Sequence, residues 1–370
     1  MRVDGLKLER LRQRIRNLDA ALLGLVAERM ELAREVGLAK RRAGIPLRDF
    51  EVEKRVLDRA AGSAAELGVA PELARALMRQ LVEEACRVQE IDHFSAFSGE
   101  AESILIIGGA GKMGNWLAEF FASQGHRVLI HDLDSSSAAG DFPRVASLEA
   151  GLAEASLCFV AVPLDRVTDS IEEIAAIGFR GVLCDVASLK EHLKPALARA
   201  LARGVAVTSI HPMFGPGART LSDKVIVLCD CGAPAATEKI AGLFRETAAT
   251  LVPLSLERHD EIAAYVLGLS HFVNLLFARI LATSGIPFRE LAAVGSTTFR
   301  SQFVTTASVA RDNPELYYTI QKANRFSEKV YRELEATAAD WIGWVERGDS
   351  AAFVDGMAAL HDWLDEAERG

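Results

Sequence analysis

The chain has 370 residues, half of them hydrophobic, and a formal net charge of −9 at pH 7, enough apolar material to close two or three domains. Residues 1–98 hold 18 basic and 16 acidic side chains, leaving 24 and 35 for the rest. Neither part has the concentrated positive charge of a nucleic-acid binder, so no such partner is expected. The five cysteines (86, 158, 184, 229 and 231) fall in no paired metal-ligand spacing, which points to buried reduced thiols and no metal. The opening residues lack an apolar leader core, and no later segment reads as a charge-free membrane span. A cytoplasmic protein without membrane contact is expected.

From Leu11 the positions 11, 15, 18, 22, 25, 29, 32 and 36 recur at spacings of four and three, predicting a helical stripe of Leu, Ile, Leu, Leu, Leu, Arg, Leu and Val. Arg29 stands inside that apolar seam. A cation there meets an anion, snorkels its charge back to solvent, or suffers a large desolvation cost. Lys40 lies within about 20° of the same face and roughly 16 Å along the axis, so two long cationic side chains could close on one small anion. Arg12 is about 25 Å from Arg29 along the helix and could share that anion only if a second copy runs antiparallel. Ala43, Gly44, Ile45 and Pro46 should end the helix. Asp49 can cap a second helix with Glu53 one turn later, and Pro71 suits the first turn of a third. Its apolar positions Leu73, Leu77, Leu81, Ala85 and Val88 bring Gln89 near its end.

The motifs LRQRI, LVAERMELAREVGLAK and PLRDFEVEK, with Gln89, resemble the all-helical chorismate mutases found fused to enzymes of phenylalanine and tyrosine synthesis. The resemblance implies that residues 1–93 are a chorismate mutase domain in which Arg12 of the partner subunit and Arg29 hold the two carboxylates of chorismate. Lys40 and Gln89 would contact the ether oxygen, with Asp49 and Glu53 near the ring hydroxyl. Val52 stands where that family usually has another arginine, and Ala85 where a serine is common.

Residues 94–102, FSAFSGEAE, mix small and acidic residues without helical period and read as a linker. Behind them the apolar run Ile104 to Ile107 leads through Gly109, Gly111 and Gly114, in GxGxxG spacing, into an amphipathic helix. A second strand, Val128 to Ile130, then ends at Asp132. This is a β-α-β unit for a nicotinamide or flavin dinucleotide, whose pyrophosphate sits at the positive end of the helix. The alternative is a glycine turn that only packs strand on helix. Met113 after Lys112 argues against a triphosphatase loop, which needs a hydroxyl residue there for magnesium. NAD is therefore expected on Gly109, Gly111, Lys112, Met113, Gly114 and Asp132, because Asp132 and Asp134 would repel a 2′-phosphate.

Further buried strands are predicted at Leu157 to Val162, Val182 to Asp185 and Val205 to Ile210, alternating with helices, which makes a doubly wound parallel sheet over residues 103–256. Ligands of such sheets sit at the carboxyl ends of the strands. His211 follows one of them and has a side chain suited to proton transfer near neutrality. Ser188 follows another, placed either to hydrogen-bond the imidazole or substrate, or to cap the next helix.

GGAGKMG, VASLK and HPMFGP together resemble the prephenate dehydrogenases, and with the helical segment in front the chain is similar to the bifunctional chorismate mutase/prephenate dehydrogenases from about Leu11 to past Tyr317. That resemblance implies that His211 accepts a hydrogen bond from the C4 hydroxyl of prephenate and takes its proton. Hydride then leaves C4 for NAD, and the ring carboxylate leaves as carbon dioxide. Edge strands are expected at Lys224 to Cys229 and Thr250 to Leu254, and residues 257–370 should be a helical substrate and dimerisation domain. Its run HDEIAAYVLGLSHFVNLLFARILATSG is apolar enough to be buried on most sides in a homodimer. His271 in that run is either a core histidine or, by the resemblance, part of the substrate pocket. Arg300 matches a family arginine and reads as an anion holder or as a surface residue. Ser308 stands where the family normally places the arginine for a prephenate carboxylate, with Arg300 or Arg311 as substitutes. Dianionic substrates are the expected ligands, with tyrosine a candidate feedback inhibitor. The competing expectations are the same chemistry on 4-amino-4-deoxy analogues or arogenate, and a dehydrogenase with a non-catalytic helical effector module.

Overall fold

The computed structural model describes residues 2–42, 50–93, 99–133, 142–218, 221, 224–245 and 247–369. Three helices open the chain, α1 (Arg2–Arg42), α2 (Phe50–Glu66) and α3 (Pro71–His93), with α1 and α2 both packed on α3. Proline opens α3 because its missing N–H is one of the first-turn donors that would have no helical partner. The face of α1 that meets α3 is that of Met30 and Ala33, closing on Leu81, Ala85 and Val88. Of the predicted seam Arg29 turns toward α3, while Leu11, Ile15, Leu18, Leu22, Leu25, Leu32 and Val36 are all exposed within the chain. Length explains the difference. Forty-one residues of helix span about 60 Å, and partners of 17 and 23 residues cannot cover two faces of it.

The α/β region starts at β1 (Ser103–Ile107) and continues through α4 (Lys112–Ser123), β2 (Arg127–His131), α5 (Leu148–Glu154), β3 (Leu157–Val160), α6 (Val167–Ile177), β4 (Val182–Asp185), α7 (Lys194–Ala202) and β5 (Ala206–Pro212). It ends with β6 (Val225–Asp230), α8 (Pro234–Arg245) and β7 (Thr250–Pro253). The strands lie in the order β2-β1-β3-β4-β5-β6-β7. The first five are mutually parallel, β6 pairs antiparallel to β5, and β7 is parallel to β6. The strands predicted to alternate with helices are thus parallel as expected, and the antiparallel arrival of β6 makes the sheet mixed at that edge. No described residue between β5 and β6 is helical, and a parallel pair needs a crossover, usually a helix, to carry the chain back. Helices α4 and α8 cover one face, where Ile104, Ile106, Phe120, Phe121, Phe159, Ile210 and Phe244 form the core. Helices α5, α6 and α7 pack on β1, β3 and β5 and, with α4 and α8, make the sheet doubly wound.

From Leu256 the chain is helical: α9 (Leu256–Ala263), a π turn (Ala264–Leu269), α10 (Ser270–Thr283), α11 (Phe288–Ala293), α12 (Thr297–Ala310), α13 (Pro314–Ala323), α14 (Ser327–Glu346) and α15 (Ser350–Arg369). Leu256–Gly370 forms one compact unit together with the short segment Ser188–His192, and the rest of the chain clusters as the other. The apolar run expected to be buried in a homodimer is largely open within one chain. Asn274 is the only buried residue of α10, while Val273, Leu275, Leu276 and Ile280 are exposed. By length and composition Leu256–Thr283 could also cross a membrane, against the expectation that no segment would. Two of its polar groups, at Asn274 and Gly268, nevertheless find protein partners. Asn274 accepts from Thr306 Oγ1 at 2.7 Å and from Gln302 Nε2 at 2.9 Å, and Gln321 Nε2 donates to the Gly268 carbonyl at 2.8 Å.

Candidate active sites

The nucleotide site is built at the end of β1, where the strand order reverses between β2 and β3, the place where such sheets take ligands. Gly108 turns the chain there with φ +77°, tied by its N–H to the His131 carbonyl. This residue lies one place ahead of the GxGxxG spacing, and the Gly108-Gly109 pair was the signal for it. A side chain at Gly109 would strike Ile130, and a Cβ at Gly114 would sit 2.1 Å from the Gly108 carbonyl oxygen, so both positions require glycine. Gly111 opens α4 in extended conformation with no side-chain cap, and its absent Cβ would meet only Gly108 at 3.2 Å. The first-turn amides of α4, from Lys112 and Met113, thus lack a side-chain partner, as an anion site needs. Lys112 is exposed, and Met113 packs partly on the sheet core. Asp132 Oδ2 accepts the Ala110 N–H at 2.9 Å, which holds the acid that follows β2 against the glycine turn. These residues fit a dinucleotide. Asp134 lies outside the described residues.

His211 is inside β5, not in the loop after it, because the antiparallel ladder extends that far, with His211 opposite Val227 and Pro212 opposite Ile226. It is buried and shares a sheet face with Ser209, opposite to Ile210 and to Thr208, whose hydroxyl bonds Thr237 on α8. Ser188 lies three residues beyond β4 and is partly exposed, between Ala187 and Leu189, which are buried. It caps no α-helix, since Leu193 holds the N-cap position of α7.

In the helical unit His271 stacks on Tyr317 with ring centroids 4.1 Å apart, and its Nδ1 is buried without a hydrogen-bond partner. Burial pushes its imidazole below the ordinary histidine range, against a smaller upward pull from Asp312. Tyr317, whose hydroxyl donates to Asp312 at 3.1 Å, is pushed up to about 12, first by burial and then by that carboxylate. Arg300 is exposed, and its guanidinium donates to the Gly295 and Ala292 carbonyls at 3.0 and 3.3 Å, closing the end of α11. Within one chain Arg300 is thus a surface residue engaged with backbone carbonyls. Ser308 is exposed on α12, and Arg311 is the C-cap of that helix.

At the first helices Arg29 and Gln89 each reach across between α1 and α3. Arg29 Nη1 donates to the Leu81 carbonyl at 2.7 Å, and Gln89 Nε2, buried, donates to the Ala33 carbonyl at 2.7 Å. Burial lowers the Arg29 guanidinium's affinity for its proton. Gln89 approaches because Gly37 has no side chain; a Cβ there would lie 2.9 Å from Gln89 Cγ. Gly37 is a site-shaping residue missed in the sequence, although a glycine inside a helix costs about 1 kcal/mol and so calls for a packing reason. Lys40 is half-buried, and Arg12 is exposed with Glu9 3.7 Å away. Asp49 and the side chain of Glu53 lie outside the described residues. Val52 is exposed, and Ala85 lies in the α1–α3 contact.

Three family models match the chain in succession: chorismate mutase type II over residues 11–90, the nucleotide-binding domain of prephenate dehydrogenase over residues 126–252, and the prephenate dehydrogenase dimerization domain over residues 255–359. The second match begins after the glycine turn, so that turn stands on its geometry. A T-protein of Enterobacter agglomerans is 28% identical over 364 residues, 98% of this chain and 95% of that protein. A T-protein of Haemophilus influenzae is 26% identical over 359 residues, 96% of this chain and 92% of that protein. Prephenate dehydrogenase from A. aeolicus, solved in complex with hydroxyphenyl propionate and NAD+, shares the fold with a TM-score of 0.60 at 17% identity, over 73% of this chain and all of its own. The chain belongs to the bifunctional chorismate mutase/prephenate dehydrogenases of tyrosine biosynthesis. It is both an isomerase and an oxidoreductase, and its cofactor is NAD.

Proposed function

We propose that the two reactions are carried by separate residue sets, in domains at 1–93 and 103–370, the latter divided at 256. In the first, Arg29 and Arg12 of the partner subunit hold the carboxylates of chorismate, while Lys40 and Gln89 stabilise the charge that develops on the ether oxygen. Asp49 and Glu53 stand near the ring hydroxyl. Such a rearrangement needs no acid, base or nucleophile, only a folded substrate and donors that strengthen as the bond breaks. In the second, Gly109, Gly111, Lys112, Met113, Gly114 and Asp132 hold NAD, which when bound supplies the hydride acceptor. His211 takes the proton of the prephenate C4 hydroxyl with Ser188 orienting it. His271 lines the pocket, and loss of the ring carboxylate as carbon dioxide makes the ring aromatic and the step irreversible. The chain acts as a cytoplasmic homodimer, with tyrosine as feedback inhibitor.

The observation that carries the dehydrogenase half is His211 itself, a buried proton acceptor on the strand that ends the parallel part of the sheet. Offering prephenate, arogenate and 4-amino-4-deoxyprephenate side by side, each with NAD or NADP, tests it. Prephenate with NAD should be turned over best, and comparable efficiency with NADP would remove the role given to Asp132. The Ser308→Arg variant should raise use of prephenate several-fold if the serine marks a weakened carboxylate site. A raised prephenate KM in Arg300→Ala would support Arg300 as the anion holder that compensates for Ser308, and an unchanged KM would leave it only closing α11.

A further inference from the structure

The sequence placed no role on Asp260, yet it is among the most constrained polar groups of the helical unit. It sits on α9, buried, and its two carboxylate oxygens grip consecutive amides: Oδ1 accepts Lys190 N–H at 2.8 Å and Oδ2 accepts Glu191 N–H at 2.9 Å. His259 Nδ1 lies 2.7 Å from the same Oδ1, and Asn324 Nδ2 donates to the Asp260 carbonyl at 2.7 Å. The gripped segment is held a second time through its side chain, because Arg325 Nε lies 2.6 Å from Glu191 Oε2 and its Nη2 bonds Glu257. A buried carboxylate is costly unless donors meet it, and here the donors are two neighbouring backbone amides, an arrangement that fixes position as well as charge. Leu189 and Lys190 are fully buried, whereas Ser188, directly before them, keeps part of its surface open.

We propose that Asp260 is a positioning residue for the dehydrogenase reaction, clamping the amides of Lys190 and Glu191 so that the Ser188 hydroxyl is held in its working place. The inference rests on the role given to Ser188 above. A small misplacement of a reacting partner can cost about 10²-fold in rate. Asp260→Asn keeps the shape but turns an N–H toward one of the two amides.

In the full chain with NAD, Asp260→Asn should lower kcat/KM for prephenate by about 10²-fold while NAD affinity and mutase turnover stay within about twofold. In a Ser188→Ala background the same substitution should cost little more, because the hydroxyl it places is gone. Equal losses in both backgrounds would overturn the proposal, as would a loss that spreads to NAD affinity. If Ser188→Ala alone leaves the dehydrogenase unchanged, the role of Ser188 falls and the placement falls with it. Should Asp260→Asn fail to fold, Arg325→Ala removes the outer grip on Glu191, together with the exposed Glu257 pair. It should give a smaller loss that again vanishes in the Ser188→Ala background, and a loss of equal size in both backgrounds would refute the clamp.

Discussion

The sheet region and the helices on either side of it treat apolar surface in opposite ways. In residues 103–255 the strand side chains are sealed: Ile104, Ile106, Leu157 and Phe159 have no accessible surface. On α1 and α10, by contrast, Leu18, Leu25 and Ile280 are 64%, 63% and 66% exposed. A doubly wound sheet covers both of its faces with helices from its own chain. A long helix with two apolar faces cannot do so when its neighbours are short, and a helix as apolar as α10 leaves one side over. Exposed apolar residues aligned along one helix face mark an interaction site more often than scattered ones do. For α10, the family match to a dimerization domain at 255–359 points to a second copy as the cover.

If the two regions are chemically separate, single substitutions should divide the activities cleanly. The largest effect belongs to His211→Asn, which should lower NAD reduction with prephenate by about 10²- to 10⁴-fold and leave chorismate turnover and NAD binding intact. Arg29→Ala should lower mutase turnover by about 10²- to 10³-fold, the usual cost of one electrostatic stabiliser, with the dehydrogenase unchanged. A mutase loss in the first variant, or a dehydrogenase loss in the second, would show that the sites are coupled.

The covering partner can be tested by charging the open stripe. Leu18→Asp combined with Leu25→Asp should convert the assembly to smaller species by light scattering and abolish mutase activity through Arg12, without lowering the unfolding temperature of the sheet region. Unchanged size would leave the stripe without the partner argued for it.

The smallest effect sharpens the description of the sheet region as self-contained. His126 is buried, its Nδ1 accepts the Glu102 N–H at 3.0 Å, and burial, opposed more weakly by Glu102, holds its imidazole below the ordinary histidine range. The folded chain therefore binds fewer protons at this site than the unfolded one. The stabilisation is present above the ordinary histidine pKa and is lost as pH falls from there toward the depressed folded value. His126→Asn keeps an acceptor but cannot be protonated, so thermal unfolding followed from pH 7.5 to 5.5 should fall less steeply in the variant. Parallel curves would assign the acid sensitivity elsewhere.

Much of this was legible in one dimension because it depends on local rules. The turn from Gly108 to Gly114, the strand runs, Pro71 at the head of α3 and the cationic Arg29 all follow from period, spacing and backbone freedom, and the motifs around them carried the family and both reactions. Which apolar face of α1 would be buried depended on how long α2 and α3 are relative to it. The place of His211 inside β5 depended on β6 arriving antiparallel, a pairing that fits the absence of helix among the described residues between the two strands. The engagement of Arg300 with the end of α11 and the grip of Asp260 on Lys190 and Glu191 join residues 5 to 70 positions apart. The sequence by itself determined the elements and the chemistry they hold. Only the tertiary structure decided which groups meet, because a hydrogen bond between distant residues leaves no periodic trace in either partner.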